Sequence, residues 1–424
     1  MSVHVVFSAE CNPSMTWQAI GLFHSFRKVG QRGNITRLLA CSEEQLAKYT
    51  GMDAGPTFVH HNMRFGHPLI DEVGYPSYNK PASVMFFLEH VDVREEYIAL
   101  LDTDMLLRAP LDPIALGARR GVVVSAEYSY LVGTDTSNAT HSHAFARRFL
   151  APDELPLMVR CGGFHIFHRE DIRKIAPLWI EYTKRVRAFA AAHPATYYAE
   201  SFLDWDLAAG VTAEQWTTRT RQGLWQAEMY GYIFGAAKAG VSHVVRRDTM
   251  LYPGYAPVGG TLPAILHYGA DFKLERDVMR YASDGGAVAA DSAHSADSTS
   301  ASASASASAS ASTSGDDVYF NKMTHTNLDL YALTDTRAGG VGAACADADA
   351  FFTNRGQGGA FYFERHVPEP WRLDGSPRSK RDLLCIEHLQ LVRARAWGTR
   401  LPLPWPSMAF HGLPWPSMAF HGLP

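Results

Sequence analysis

The chain has 424 residues, 46% of them hydrophobic, and a formal net charge of −4. That apolar content excludes a wholly disordered chain and allows one large catalytic domain with an appendage. The slightly acidic balance argues against nucleic acid as a partner and leaves a small phosphorylated ligand open.

The chain opens on a strand-like run at residues 3–7, with no charged leader and apolar signal core before it. No run of about 18 apolar residues follows, so the sequence reads as soluble. Residues 16–29 read as a helix with Trp17, Ile20 and Phe23 on one side, stopped by Gly30. A second strand is expected at 36–40, which makes a βαβ opening. Lys80 precedes a helix-like run at 82–89 and could meet a phosphate near that helix's N-terminus; a solvated lysine is the plain alternative. Further strands are expected at 97–101, 122–126, 163–167 and 265–268. Strands alternating with helical stretches to about residue 273 predict an α/β domain with a largely parallel central sheet and helices on both faces.

Beyond about residue 276 the composition changes. Residues 292–314 are an almost pure Ser/Ala alternation with nothing large to bury. The expected organisation is therefore a catalytic domain at 1–275, a disordered linker at 276–316, a C-terminal extension at 317–398 packing back on the catalytic domain, and a Pro-rich tail at 399–424. Within that tail, residues 403–412 are repeated in full as 413–422. The five cysteines, Cys11, Cys41, Cys161, Cys345 and Cys385, contain no Cys-x-x-Cys pair, which argues against structural zinc or a dense disulfide scaffold. Their odd number leaves the redox compartment open. Asn34-Ile35-Thr36 and Asn138-Ala139-Thr140 would permit N-glycosylation in a secretory lumen, although chance sequons are common.

The chemistry is carried first by Asp102-Thr103-Asp104, which ends the apolar run Tyr97-Ile98-Ala99-Leu100-Leu101. In extended chain the two aspartates point the same way and converge at the strand's carboxyl end, where open α/β sheets bind ligands. Two hard anionic oxygens there suit Mn²⁺ or Mg²⁺ shared with a diphosphate, and a cation relieves the cost of placing carboxylates among apolar residues. Solvated turn carboxylates are the alternative. In His267-Tyr268-Gly269-Ala270-Asp271-Phe272-Lys273, His267 could complete the metal shell and Lys273 could reach the phosphates, so that one short loop would serve both. Residues 225–232 read as a helix with Trp225, Met229 and Tyr232 on a core face. Glu228 shares its flank with Gly231 and Gly235, where a sugar or another backbone could approach. Glu228 there could orient an acceptor hydroxyl or support positive charge developing on a sugar ring; a surface glutamate is the alternative. Gly162 and Gly163 could offer backbone donors to a sugar or simply form a turn. No hydrolase triad spacing, Walker-type loop or Gly-x-Gly-x-x-Gly after the first strand is present.

With these residues in place, the chain resembles the plant and algal peptidyl serine α-galactosyltransferases, which are related to the hydroxyproline O-arabinosyltransferases. The likeness is carried by Glu10-Cys11, Trp17-Gln18, Asn79-Lys80-Pro81-Ala82, Leu100-Leu101-Asp102-Thr103-Asp104-Met105, Ala227-Glu228-Met229-Tyr230-Gly231 and His267-Tyr268-Gly269, and returns at 366–370 and 380–387. It implies a GT-A fold and a UDP-galactose donor used with Mn²⁺. It also implies serine in Pro/hydroxyproline-rich glycoproteins as acceptor, and an endoplasmic reticulum or Golgi site with a membrane anchor that is not seen in this sequence. A looser likeness to glycogenin-type retaining transferases implies Asp102, Asp104 and His267 as metal ligands, Lys80 and Lys273 as donor contacts, and retention of configuration. The alternatives are a hydroxyproline O-arabinosyltransferase or other UDP-sugar transferase, and a catalytically silent nucleotide-sugar-binding module. The Ser/Ala tract and the duplicated tail depart from the family pattern.

Overall fold

A computed structural model describes residues 1–134, 144–201, 212, 226–252 and 262–269, together with the backbone of two short strands at 272–274 and 318–320. The described residues up to Gly269 form one compact unit; the two short strands belong to a second.

The first unit is built on a seven-stranded sheet. Its strands are β1 (Val3–Glu10), β2 (Ile35–Cys41), β3 (Thr57–His61), β4 (Tyr97–Asp102), β6 (Val122–Glu127), β7 (Cys161–His168) and β8 (Ser242–Val245), while β5 (Met105–Leu107) lies elsewhere. They are arranged in the order β3-β2-β1-β4-β7-β6-β8. Every pairing is parallel except the two that β7 makes, with β4 and with β6. The centre is β1 beside β4, whose Val5, Phe7, Ala99 and Leu101 are completely enclosed. Such unbroken apolar runs suit strands covered on both sides.

Helices supply that cover: α1 (Pro13–Lys28), α2 (Glu43–Lys48), α3 (Asn79–His90), α4 (Pro113–Leu116), α5 (Arg169–Ala192), α6 (Pro194–Ser201) and α7 (Gln226–Lys238). Successive side chains of β1 alternate between them. Phe7 meets Phe23 of α1, with ring centroids 5.2 Å apart, whereas His4 meets Phe87 and Ser8 meets Ser83, both of α3. Helices therefore lie on both faces, as the sequence pattern predicts. Asn12 caps α1 by accepting the Met15 N–H, Pro13 occupies the first helical position, and Gly30 follows the helix at φ 64°. Apolar Ile172, Ile175, Trp179 and Val186 give α5 one buried stripe. On α7, Gly231 and Gly235 let the backbone of α5 approach; a Cβ at Gly231 would stand 2.2 Å from Thr183 Oγ1. The close neighbour expected beside these glycines is thus another helix.

A small second sheet in the same unit sets β5 antiparallel and β9 (Met250–Leu251) parallel to β10 (Ile265–His267). In the second unit, β11 (Phe272–Leu274) pairs antiparallel with β12 (Val318–Phe320). The Ser/Ala tract, the duplicated tail, Asn138 and nearly all of the expected C-terminal extension lie outside the described residues. Among the described residues no helix is long and apolar enough to cross a membrane.

Candidate active site

The two aspartates flank a turn rather than sitting on one continuous extended run. Asp102 ends β4, Thr103 and Asp104 make the turn, and β5 starts at Met105. The expected alternation of faces therefore does not apply, yet the carboxylates are brought together, because the turn is anchored on two sides. Thr103 Oγ1 donates to the Ser8 carbonyl at 2.6 Å, and the Tyr268 N–H donates to the Asp104 carbonyl at 3.1 Å. The β5–β10 register sets Met105 opposite His267 and so carries the imidazole to the aspartates.

His267 Nε2 lies 3.2 Å from Asp104 Oδ1 and 4.0 Å from Asp102 Oδ2. One ligand atom from each of the three residues falls within 4.8 Å of the others, a set that could hold a metal ion. Asp104 and His267 are buried and Asp102 is partly so. Two carboxylates and one imidazole nitrogen suit a hard or borderline divalent cation, and a cation there offsets the cost of gathering carboxylates out of water.

Lys80 stands inside the first turn of α3 rather than ahead of it. Its Nζ meets Asp102 Oδ1 at 2.6 Å. Burial alone would depress this lysine's pKa, but Asp102, Glu228 and Asp104 outweigh burial and hold it above the ordinary lysine range. Glu228 is buried in α7, which removes the surface alternative. Burial pushes its carboxyl up to about 7, with Lys80 opposing and Asp102 adding to the rise, and its Oε1 has no hydrogen-bond partner among the described residues. Its backbone is pinned: the N–H donates to Tyr75 Oη at 3.1 Å, and the carbonyl accepts from Trp179 Nε1 at 3.0 Å. Asp102, Asp104, His267, Lys80 and Glu228 thus share one electrostatic neighbourhood.

Gly162 and Gly163 lie within β7 and not in a turn before it. A Cβ at Gly162 would meet the Tyr128 ring at 2.1 Å, and Gly163 has φ 70° where the β6–β7 register shifts. Lys273 falls on β11 in the second unit, and its side chain lies outside the described residues.

Two features are not assigned a role by the sequence reading. Glu10, at the carboxyl end of β1, accepts from Arg64 Nε at 3.2 Å and from Asn62 and Asn79. Glu10 and Asn79 stand in stretches that carry the resemblance, but their contact, across about 70 residues, is not visible in the sequence. Tyr252 stacks on His267 with ring centroids 4.7 Å apart; the short apolar run Met250-Leu251-Tyr252 is its sole local signal. Cys11 and Cys41, at the ends of neighbouring strands, form a disulfide with Cα atoms 5.3 Å apart, while Cys161 is free and buried.

Residues 3–209 match the N-terminal domain of the hydroxyproline O-arabinosyltransferase family. The chain is similar in sequence to proteins named peptidyl serine alpha-galactosyltransferase. It is 39% identical to the Arabidopsis thaliana protein of that name over 272 residues, which is 64% of this chain and 30% of the relative. It is 31% identical to the Chlamydomonas reinhardtii protein of the same name, covering 65% of this chain and 35% of the relative. The chain thus spans about a third of the length of these curated relatives. Among solved structures, the galactosyltransferase LgtC in complex with donor and acceptor sugar analogs aligns with 63% of this chain and 87% of its own, at 13% identity and a TM-score of 0.35. That superposition is too loose to transfer any residue. The mostly parallel seven-stranded sheet flanked by helices is the architecture expected of a GT-A transferase.

Proposed function

We propose that the protein is a retaining glycosyltransferase that moves galactose from UDP-galactose to serine hydroxyls of Pro/hydroxyproline-rich glycoproteins. The observation that carries the proposal is the convergence of Asp102, Asp104 and His267 at the end of β4, with Lys80 on Asp102. When bound, Mn²⁺ or Mg²⁺ held by these three residues supplies positive charge to the departing diphosphate oxygens. Lys80 adds a fixed cation to the same region, pre-oriented by Asp102, and the reading of Lys273 as a donor contact is kept as part of the proposal. Glu228, its backbone held by Tyr75 and Trp179, offers a buried carboxyl group that interacts electrostatically with Lys80. In its ionised form it would support positive charge developing on the sugar ring or orient the acceptor hydroxyl. Gly162 and Gly163 make way for the Tyr128 ring and for Met250, and their part in donor binding is proposed through backbone groups alone.

The serine acceptor is favoured by the identity to the two peptidyl serine alpha-galactosyltransferases. A second reading, pentose transfer to hydroxyproline, is favoured by the family domain at 3–209. The Cys11–Cys41 disulfide supports an oxidising compartment, and we place the protein in the endoplasmic reticulum or Golgi lumen. The domain limits read from sequence stand as part of the proposal.

The test incubates the protein and Mn²⁺ with a panel of UDP-sugars and paired Ser-Pro-rich and hydroxyproline-rich peptides, reading peptide mass and modified residue. A hexose on serine from UDP-galactose is the expected result. A pentose on hydroxyproline would select the second reading. Donor binding with no mass change would point to a silent nucleotide-sugar-binding module.

A further inference from the structure

We infer that Tyr252 is a positioning residue for His267, holding the imidazole by ring stacking where a hydrogen bond ordinarily does so. The inference rests on the metal-site reading above and extends it to a residue that touches neither carboxylate.

His267 turns Nε2 toward the carboxylates of Asp104 and Asp102, at 3.2 and 4.0 Å. With Nε2 as the ligand atom, the neutral ring carries its proton on Nδ1. A metal-ligating histidine almost always donates that N–H to a carboxylate, a carbonyl or water, which fixes the ring's rotation. Here Nδ1 is buried and has no hydrogen-bond partner among the described residues. Something else must fix the ring.

The β9–β10 register supplies it. Ile265 lies beside Met250 and Leu266 beside Leu251, so the next step along both strands brings Tyr252 beside His267. The two rings lie 4.7 Å apart and 28° from parallel. Tyr252 is itself held, because its hydroxyl donates to the Tyr128 hydroxyl at 3.2 Å. Tyr128 is buried, with its ring in the space that a side chain at Gly162 would need. Gly269 completes the arrangement from the front: a Cβ there would stand 3.0 Å from His267 Nε2 and 3.4 Å from Tyr252 Cε1. Its absence leaves the ligand nitrogen open and the stack undisturbed. Gly162, Tyr128, Tyr252 and His267 thus form one run of contacts that ends at the metal ligand.

The test measures Mn²⁺ affinity of the full chain from the paramagnetic resonance signal of the free ion, without any turnover. Tyr252→Phe keeps the stack and should bind within about twofold of wild type. Tyr252→Leu removes the stack and should bind about tenfold more weakly. Wild-type affinity in the Leu variant would overturn the inference, as would a Phe variant as weak as Leu, which would assign the effect to the hydroxyl. Circular dichroism monitors folding, and Tyr252→Ile replaces a Leu variant that fails to fold. His267→Ala separates this inference from the metal reading: unchanged affinity in that variant means that the metal site itself is misassigned, and the role of Tyr252 falls with it.

Discussion

Lys80 Nζ sits 2.6 Å from Asp102 Oδ1, joining the first turn of α3 to the carboxyl end of β4. The contact divides the work of one carboxylate. Oδ1 is engaged by the ammonium, while Oδ2 is the oxygen nearer to His267. Lysine here is both a lock on the aspartate and a cation set beside the proposed diphosphate site.

Replacing Lys80 by Met removes that cation and frees Oδ1. Mn²⁺ binding should persist, since Asp104, His267 and Asp102 Oδ2 remain. Transfer should fall about a hundredfold, the scale of losing one preorganised electrostatic group. Steady-state kinetics beside a metal titration checks both halves, and an unchanged kcat/KM would remove Lys80 from the donor site.

Gly231→Ala should destabilise the fold by about 1–3 kcal/mol, because the new methyl has Thr183 Oγ1 at 2.2 Å and the Thr183 N–H nitrogen at 2.6 Å. The backbone of α5 cannot withdraw without disturbing Trp179, which holds the Glu228 carbonyl. Urea unfolding gives the stability change, and the folded fraction should also lose transfer as Glu228 shifts.

The parts of this architecture that could be read from sequence are those that bury a continuous apolar run. Residues at 3–7, 36–40, 97–101, 122–126, 163–167 and 265–268 all lie in strands or at their ends. What was missed is instructive. Thr57–His61 forms β3 at the sheet's edge with only His60 buried, and Ser242–Val245 forms β8 at the other edge, half covered throughout. Neither presents the pattern of a central strand. Asp102 and Asp104 were legible as a pair because apolar residues flank them, but the turn that joins them is set by Ser8 and Tyr268, both distant in sequence. Glu228 was legible through its glycine-rich flank. Its depth of burial follows from α5, which sequence alone does not place.

The Cys11–Cys41 bond closes a stretch with a sequence separation of 30. Loop-closure entropy puts its contribution at about 3.5 kcal/mol. Reduction should therefore lower the urea midpoint, while peptide mapping of the unreduced protein should recover Cys11 linked to Cys41. Free thiols at both positions in secreted material would count against an oxidising compartment.

Buried histidines predict loss of stability in acid. Burial lowers His60 and His243 to about 4 and His165 well below its ordinary range. The unfolded chain binds more protons than the folded one from pH 6.5 downward, so stability is present above 6.5 and is lost on the way to about 4. Each proton contributes a slope of about 1.4 kcal/mol per pH unit. Glu228 opposes this: its folded pKa of about 7 exceeds the ordinary 4.5, so between those values the folded chain holds the extra proton. In chelator, Glu228→Gln should therefore steepen the loss of stability between pH 6.5 and 4.5. Parallel curves for variant and wild type would contradict the assigned burial of Glu228.

Asp102, Asp104 and His267 are proposed to form a metal site that serves sugar transfer. Its most direct test compares wild type with Asp104→Asn for transfer from UDP-galactose to a serine-rich peptide, each with Mn²⁺ and with chelator, alongside circular dichroism. Metal-dependent transfer by wild type and none by a folded Asp104→Asn is the expected result. Transfer by wild type in chelator, or full transfer by the variant, would contradict it.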